Sequence, residues 1–473
     1  MKFPFIGPAY FSRSARIEAQ ECINLYLEVD PNGRNALLGT PGLRLFAALG
    51  SGPLRGAWKI ATGDLIAVAG NAVYRVRKDA SATFLGSVGT SSGPVSIADN
   101  GQQCLIVDGS STGYQITLPD YTLSAIVSDA FYGADNVYFL DGRFVLNRPG
   151  TGQFYLSDLY ATTFNALYFA TAETSPDNLV SHIVDHREIW LFGDLTTEVW
   201  VANGAPTFPY ERMEGAAIEA GCAAAHSVCK MDNSIVWLGK DEKGQGIVWL
   251  VANYTPVRIS THALETAIAS YAKAGTISDA IAYVYQQEGH TFYVLTFPSA
   301  QRTWAYDAAT KTWAQRAYLD STGQQVRHRS NCHAFAWGMN LVGDYANGNL
   351  YVLDLDTYTD NGDPIRRVRS CAPVIGQNFE WIYFDDLQVE FEAGVGLVDG
   401  QGADPQAMLT CSDDGGRTWG NERTASIGQI GEFDARVRWT RLGRSRNRVF
   451  RIAVSDPVKI AIVNSALNAG GAS

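Results

Sequence analysis

The densest reactive feature of the chain is a run of arginines, Arg436, Arg438, Arg441, Arg444, Arg446, Arg448 and Arg451, uninterrupted by any acid. Guanidinium groups at this density suit an acidic protein surface or phosphate oxygens. In strand geometry Arg436 and Arg438 share one face while Trp439 turns the opposite way, and Arg444, Arg446 and Arg448 alternate around a turn. The run is a candidate contact with another subunit or partner. The plain alternative is a solvated strand face balanced by carboxylates elsewhere. Cys222, His226 and Cys229 also lie close together, but a zinc site would want a second ligand pair, so no metal is expected. Asp354, Asp356, Asp360, Asn361 and Asp363 form an acidic turn. Tyr358 stands where a calcium loop needs an oxygen ligand, and no Gly follows it, so the turn reads as a solvated loop. Glycoside hydrolysis needs two carboxylates at a fixed separation, and with 48 acidic residues chance pairs are plentiful. No G-x-S-x-G, phosphate-binding loop or H-E-x-x-H is present. No catalytic residue and no cofactor is therefore assigned, and the chain is not expected to be an enzyme.

Ser412-Asp-Asp414-Gly-Gly416-Arg-Thr-Trp419 fits the Asp-box pattern S-x-D-x-G-x-x-W. Its physics is local: the Asp accepts backbone N–H groups, Gly permits positive φ, and Trp folds back over the hairpin. Asp boxes recur in sialidases, which are propellers, and this leaves an alternative function open, a sialidase-like or lectin-like propeller acting on glycans. A single box outside the repeats reads instead as a structural hairpin carried by Ser412, Asp414, Gly416 and Trp419.

The elements that must position these groups recur. Strand-turn-strand phrases run over Leu65–Val76, Cys104–Ile116, Arg143–Leu156, Glu188–Val201, Ser234–Val251, Thr291–Thr312 and Leu341–Leu355. One such unit cannot bury its own face, and a spacing of about 40–50 residues is what four-stranded propeller blades require. The fold class is all-β: a propeller of six or seven blades over 57–370, an N-terminal extended arm over 1–56 rich in Pro and Gly, and a sandwich-like β domain over 371–473. Within the arm, Cys22–Glu28 reads as one short strand. The arm is expected either to reach a neighbour or, slightly favoured, to complete a blade in its own chain. Thr261–Ala274 reads as a helix, with Leu264, Ile268 and Tyr271 at helical spacing.

Composition agrees. Charged residues are only 18%, while Gly (46), Tyr (22), Phe (21) and Trp (11) are plentiful, as β-rich chains require. The net charge of −11 makes the whole surface unsuited to gripping nucleic acid, although it could enclose DNA. The odd count of 7 Cys, widely spaced, argues against a disulfide framework and for a reducing compartment. The N-terminus lacks a secretory pattern, and no run of about 20 apolar residues occurs, so no membrane insertion is expected.

The two ends carry a resemblance. Asn24-Leu-Tyr-Leu-Glu28, Thr40-Pro-Gly-Leu43 and Gly52-Pro-Leu-Arg-Gly56 stand at one end. Thr410–Trp419, Arg438-Trp-Thr-Arg-Leu-Gly-Arg444, Val449-Phe-Arg-Ile452 and Ser455-Asp-Pro-Val458 stand at the other. Together they resemble the packaged-DNA stabilisation (tail nozzle or tail hub) proteins of short-tailed phages, over nearly the full length. The resemblance implies a homohexameric ring in the virion tail, assembled in the host cytoplasm, below the portal and its adaptor ring. It implies a needle or plug as a further partner, tailspikes or fibres in some members, and a role in retaining DNA and conducting it during ejection. Six copies would carry about −66 formal charge, a field that discourages passing DNA from sticking.

Overall fold

The computed structural model describes residues 3–12, 18–118, 120–172, 175, 177–205, 208–241, 243–376, 378 and 380–471. Its centre is a wheel of antiparallel sheets. Five separate four-stranded sheets follow one another in sequence from Leu54–Lys59 to Thr255–Arg258. A sixth blade comprises Ile281–Gln287, His290–Phe297, Arg302–Asp307 and Thr312–Leu319, and a seventh begins with Ser330–Ala336, Met339–Asp344 and Asn349–Asp354. The seventh is completed by Gly42–Ala48 from the arm, antiparallel to Asn349–Asp354 with Asp354 opposite Gly42. The blade count is thus seven, and the arm closes the wheel within its own chain.

Each sequence phrase is the middle hairpin of a blade. These hairpins are legible because their first strand is covered on both faces: in the first blade Leu65–Ala69 is buried throughout, and in the sixth so is His290–Phe297. The first strands of successive blades touch around the axis, from Leu54–Lys59 against Ser96–Asp99 to Ser330–Ala336 back against Leu54–Lys59. The helix His262–Ala274 lies in the crossover from the fifth to the sixth blade, capped by Thr261, whose hydroxyl accepts from the Leu264 amide at 3.3 Å. Leu264 and Ile268 are its buried stripe. Among the described residues no helix is long and apolar enough to cross a membrane, and all seven cysteines are free thiols.

The C-terminal part is two packed sheets. One orders Arg367–Ser370, Asn447–Val454, Gln406–Ser412 and Arg423–Ser426; the other orders Ala461–Gly471, Ile382–Phe391 and Val437–Ser445. Two boundaries differ from the sequence reading. Arg367–Ser370 belongs to the sandwich rather than to the propeller, and Leu54–Lys59 already starts the first blade. The arm does more than close the wheel. Its hairpin Leu25–Val29/Asn35–Gly39 extends the second sandwich sheet through Asn35–Gly39 against Ala461–Gly471. Cys22–Ile23 pairs parallel to Thr312–Leu319 of the sixth blade and antiparallel to Arg367–Ser370 of the sandwich. A single continuous sheet therefore runs from wheel to sandwich through two arm residues.

Asn24 breaks the strand expected over Cys22–Glu28. Its φ is +55°, a left-handed conformation that Asn tolerates better than most residues. Its side chain donates to the Ala317 and Arg366 carbonyls (2.9 and 3.0 Å) and accepts from the Ala317 amide (2.8 Å). The kink lets one half of the segment serve the wheel-to-sandwich junction and the other half the second sandwich sheet.

Candidate functional site

The arginine run divides by environment. Val437–Ser445 is the edge strand of its sheet, and it carries a bulge: Phe384 faces Gly443 and Asp386 faces Thr440, leaving Arg441 and Leu442 together opposite Asp385. Arg441 has φ +56° and Gly443 φ +78°. The bulge ends the strict alternation expected from the sequence and re-aims Arg441 outward. Arg438 is exposed and donates to Asp386 at 2.9 Å, while Trp439 is buried behind it. Arg436 and Arg441 are exposed with no ion pair among the described residues. Arg444 and Arg446 hold their guanidinium groups 4.7 and 4.9 Å from the ring centre of Trp381, and Arg444 also donates to the Tyr383 hydroxyl at 3.2 Å.

Arg448 and Arg451 depart from the contact-strip expectation because they face inward. Arg448 is buried, forks onto both Asp413 oxygens at 2.7 and 2.9 Å, and donates to the Leu442 carbonyl. Arg451 lies 3.8 Å over Trp419 and donates to Thr410 Oγ1 at 3.2 Å. The last two arginines thus brace the Asp box. In that box Ser412 Oγ donates to Asp414 at 2.7 Å and accepts from the Gly416 amide at 2.7 Å. Asp414 accepts from the Arg417 and Thr418 amides and from the Thr418 hydroxyl, which holds its carboxyl well below the usual range. Gly416 has φ +92°. These bonds close a hairpin and leave the Asp414 carboxylate engaged within the turn.

The other sequence candidates resolve without a reactive centre. Burial pushes the Cys222 and Cys229 thiols up to about 11 and about 12, and lowers His226. Cys222 Sγ donates to the Ala224 carbonyl at 3.2 Å. The acidic turn is not the solvated loop that its composition suggested. Thr359–Asp360 pairs with the closing strand through Asp360 and Leu43, and Asp360 is only 1% exposed. Burial raises its carboxyl to about 7, opposed by Arg367, Arg329 and Arg316. Arg367 is itself 2% exposed, and none of its guanidinium nitrogens meets an acceptor among the described residues. Asp354, by contrast, accepts from Arg44 at 2.9 Å across the closing strand.

Sequence reasoning missed the strongest junction residue. Arg369 is fully buried and donates to the arm's carbonyls at Phe5 (2.7 Å), Pro8 (2.9 Å) and Glu21 (3.2 Å), and to the Gln20 side chain. A charge at a domain boundary ordinarily signals a solvated linker, and nothing in its neighbours' types revealed otherwise. His290 is a second such group. It is gripped by Asp307 (2.9 Å) and the arm's Glu28 (2.7 Å), which raise it to about 9.

Around the wheel's axis lies a cavity of about 440 Å³, with Arg55, Trp58, Asn136, Tyr138, Lys230 and His333 among its lining. Arg55 is held there by the Gly70, Thr90, Ser92 and Gly93 carbonyls.

Comparison with known proteins covers both halves. Residues 2–358 match the family model described as bacteriophage P22 Gp10, beta-propeller, and residues 368–470 match bacteriophage P22 Gp10, beta-sandwich. The curated proteins contain no match. Similar solved structures include the WD40 beta propeller domain of Doa1, at 10% identity and TM-score 0.41, covering 66% of this chain and 96% of that one. The N-terminal domain of Nup159 gives 10% and 0.42, covering 71% and 99%, and a chain of the Mitotic Checkpoint Complex gives 10% and 0.41, covering 75% and 99%. At such TM-scores these likenesses carry no argument.

Proposed function

The chain belongs to the bacteriophage P22 Gp10 family of packaged-DNA stabilisation proteins, and from that premise we propose that it is a nozzle or hub subunit of a virion tail. Six copies form a ring below the portal and its adaptor ring, extend the DNA channel, and are closed distally by a needle or plug. The ring retains packaged DNA and conducts it at ejection without chemistry of its own. The observation that carries this reading is the welding of wheel to sandwich by the arm. Cys22–Ile23 joins the two sheets, Arg369 is satisfied by arm carbonyls, and Gly42–Ala48 closes the wheel. A chain built as one stiff block is suited to tiling a tube, and paired strand edges protect it from indiscriminate sheet addition.

The net charge of −11 per copy supports a bore to whose wall passing DNA does not stick. Electron microscopy of the filled particle tests the reading, together with a fluorogenic glycoside assay on the isolated chain. A six-fold ring of this protein at the tail vertex is expected. Its absence from that vertex, or glycoside turnover by a monomer, overturns the assignment.

A further inference from the structure

The sandwich carries two unlike ends, and we infer that they bind each other head to tail between successive copies of this chain. This contact rests on the ring reading above and specifies the surface that makes it. Both ends are set by the antiparallel pair Ile382–Phe391 and Val437–Ser445, in which Ile382 faces Ser445 and Val389 faces Val437. A strand of this length puts its two ends about 30 Å apart.

At the Ile382 end, Trp381 and Tyr383 are 38% and 44% exposed and are flanked by Arg444 and Arg446. Ile375 adds an exposed aliphatic side chain, and Arg441 lies just across the bulge. Glu380 beside Trp381 and Asp385 opposite Arg441 are the exposed acids on this stretch. Stacked guanidinium groups are weakly hydrated and keep their outward N–H forks free for carboxylates.

At the opposite end two glycine-rich loops interlock. The Leu397 amide donates to Gly402, and the Gly431 amide to Gly394. Gly394 has φ +80°, and a Cβ there would meet the Phe433 ring at 2.6 Å. The loops raise Leu397, Val398, Ile430 and Phe433 into solvent, with Val398 85% and Phe433 77% exposed. Asp399, Asp404, Glu432 and Asp434 surround them, all exposed and none in an ion pair among the described residues, with Arg436 the opposing charge nearby. An apolar tip of this kind, rimmed by polar residues, marks an interaction site.

The two ends complement each other in both respects: acids meet arginines, and aliphatic and phenyl groups meet an indole and a phenol. Because they are different patches on one domain, the contact is heterologous, which generates a ring when the rotation closes. Complementary charge fixes the register and repels a tip from a tip.

The test uses the full chain in two double variants, V398D/F433D at the tip and R444E/R446E at the aromatic end. All four positions are exposed, and unchanged thermal unfolding verifies each fold. Sedimentation of the native chain over a concentration series, with chemical cross-linking, should show association beyond the dimer. Each variant alone should associate more weakly by on the order of 30-fold or more, the least that losing central contacts costs. An equal mixture of the two variants should give a dimer and nothing larger, since one intact tip meets one intact aromatic end. The milder F433S and R444Q should shift association in the same direction.

Native assembly that both double variants retain overturns this contact and leaves the ring standing. A native chain that stays monomeric throughout, with no dimer in the mixture, overturns this contact, while the ring itself stands or falls on the six-fold density at the tail vertex. Binding of duplex DNA that R444E/R446E abolishes while association persists assigns the aromatic end to nucleic acid and overturns the contact.

Discussion

Replacing Arg369 with alanine should release the N-terminal arm. The side chain serves three arm carbonyls and the Gln20 amide oxygen from a fully buried position. Hydrogen bonds to a charged group are worth about 1.5–3 kcal/mol each, so a simple sum would reach about 6–12 kcal/mol. That sum overstates the loss for two reasons. Removing the guanidinium also removes its own desolvation cost, and a detached arm rehydrates its carbonyls. The loss cannot exceed what docks the arm, chiefly the buried Phe3 and Phe5 rings, worth about 1.5–3 kcal/mol each. A value of about 3–5 kcal/mol follows, the usual cost of breaking a buried charged contact. This corresponds to a rise on the order of 10²-fold or more in the population with the arm released. Limited chymotryptic digestion reads that population when reclosing outpaces cleavage, at the buried Phe5, since the Phe3–Pro4 bond resists the protease. R369K should rescue little, because one ammonium cannot span four acceptors set for a fork. R369A with arm cleavage within about threefold of the native rate, a change worth under 1 kcal/mol, would refute the reasoning.

Other expectations concern pH and the kink. Asp360 has a folded carboxyl near 7, above the unfolded value of about 3.9. Between those values the folded state holds the extra proton, so stability falls as pH rises through that window. D360N should flatten this fall in urea titrations and raise stability above pH 7; an unchanged pH profile would contradict the burial argument. His290 is raised to about 9, so its contribution is complete below about 6.5 and is lost as pH climbs through 9. H290Q should remove that alkaline decline, measured by thermal unfolding between those pH values. N24A loses two buried hydrogen bonds and one partly buried one and keeps a strained φ, for about 2–4 kcal/mol. N24G should recover only the strain, so hydrogen exchange at Ala317 should rise in both variants and less in the glycine one.

What the sequence exposed and what it hid have a common cause. Middle hairpins such as Leu65–Val76 advertise themselves because the strand Leu65–Ala69 is wholly buried and apolar and its partner Ala72–Val76 alternates beside it. Outer strands such as Thr122–Ala125 and Tyr210–Arg212 are short and largely exposed, so they leave little trace in composition. The arginine run was visible as a cluster, but not its split. The bulge at Arg441–Leu442 depends on the partner strand's register, and the inward turn of Arg448 depends on Asp413 and Leu442. Asn24 looked like one more residue of an apolar strand. Its conformation is set by Ala317 and Arg366, far away in sequence. Arg369 and Asp360 misled for the same reason, since long-range burial overrides the usual solvation of a charge.

The composite seventh blade also sets an order of events during synthesis. Gly42–Ala48 leaves the ribosome early but has no partner until Asn349–Asp354 is made. Asn35–Gly39 must wait longer, for Ala461–Gly471. The wheel therefore cannot close before Asp354 is made, nor can the sandwich finish before Ala461–Gly471 is, and contacts of such sequence separation form slowly. An interrupted translation product keeps an open rim and an unpaired leading segment, and it lacks the sandwich ends. Only completed chains would then be competent to join a particle, a safeguard that arises from topology with no separate checkpoint.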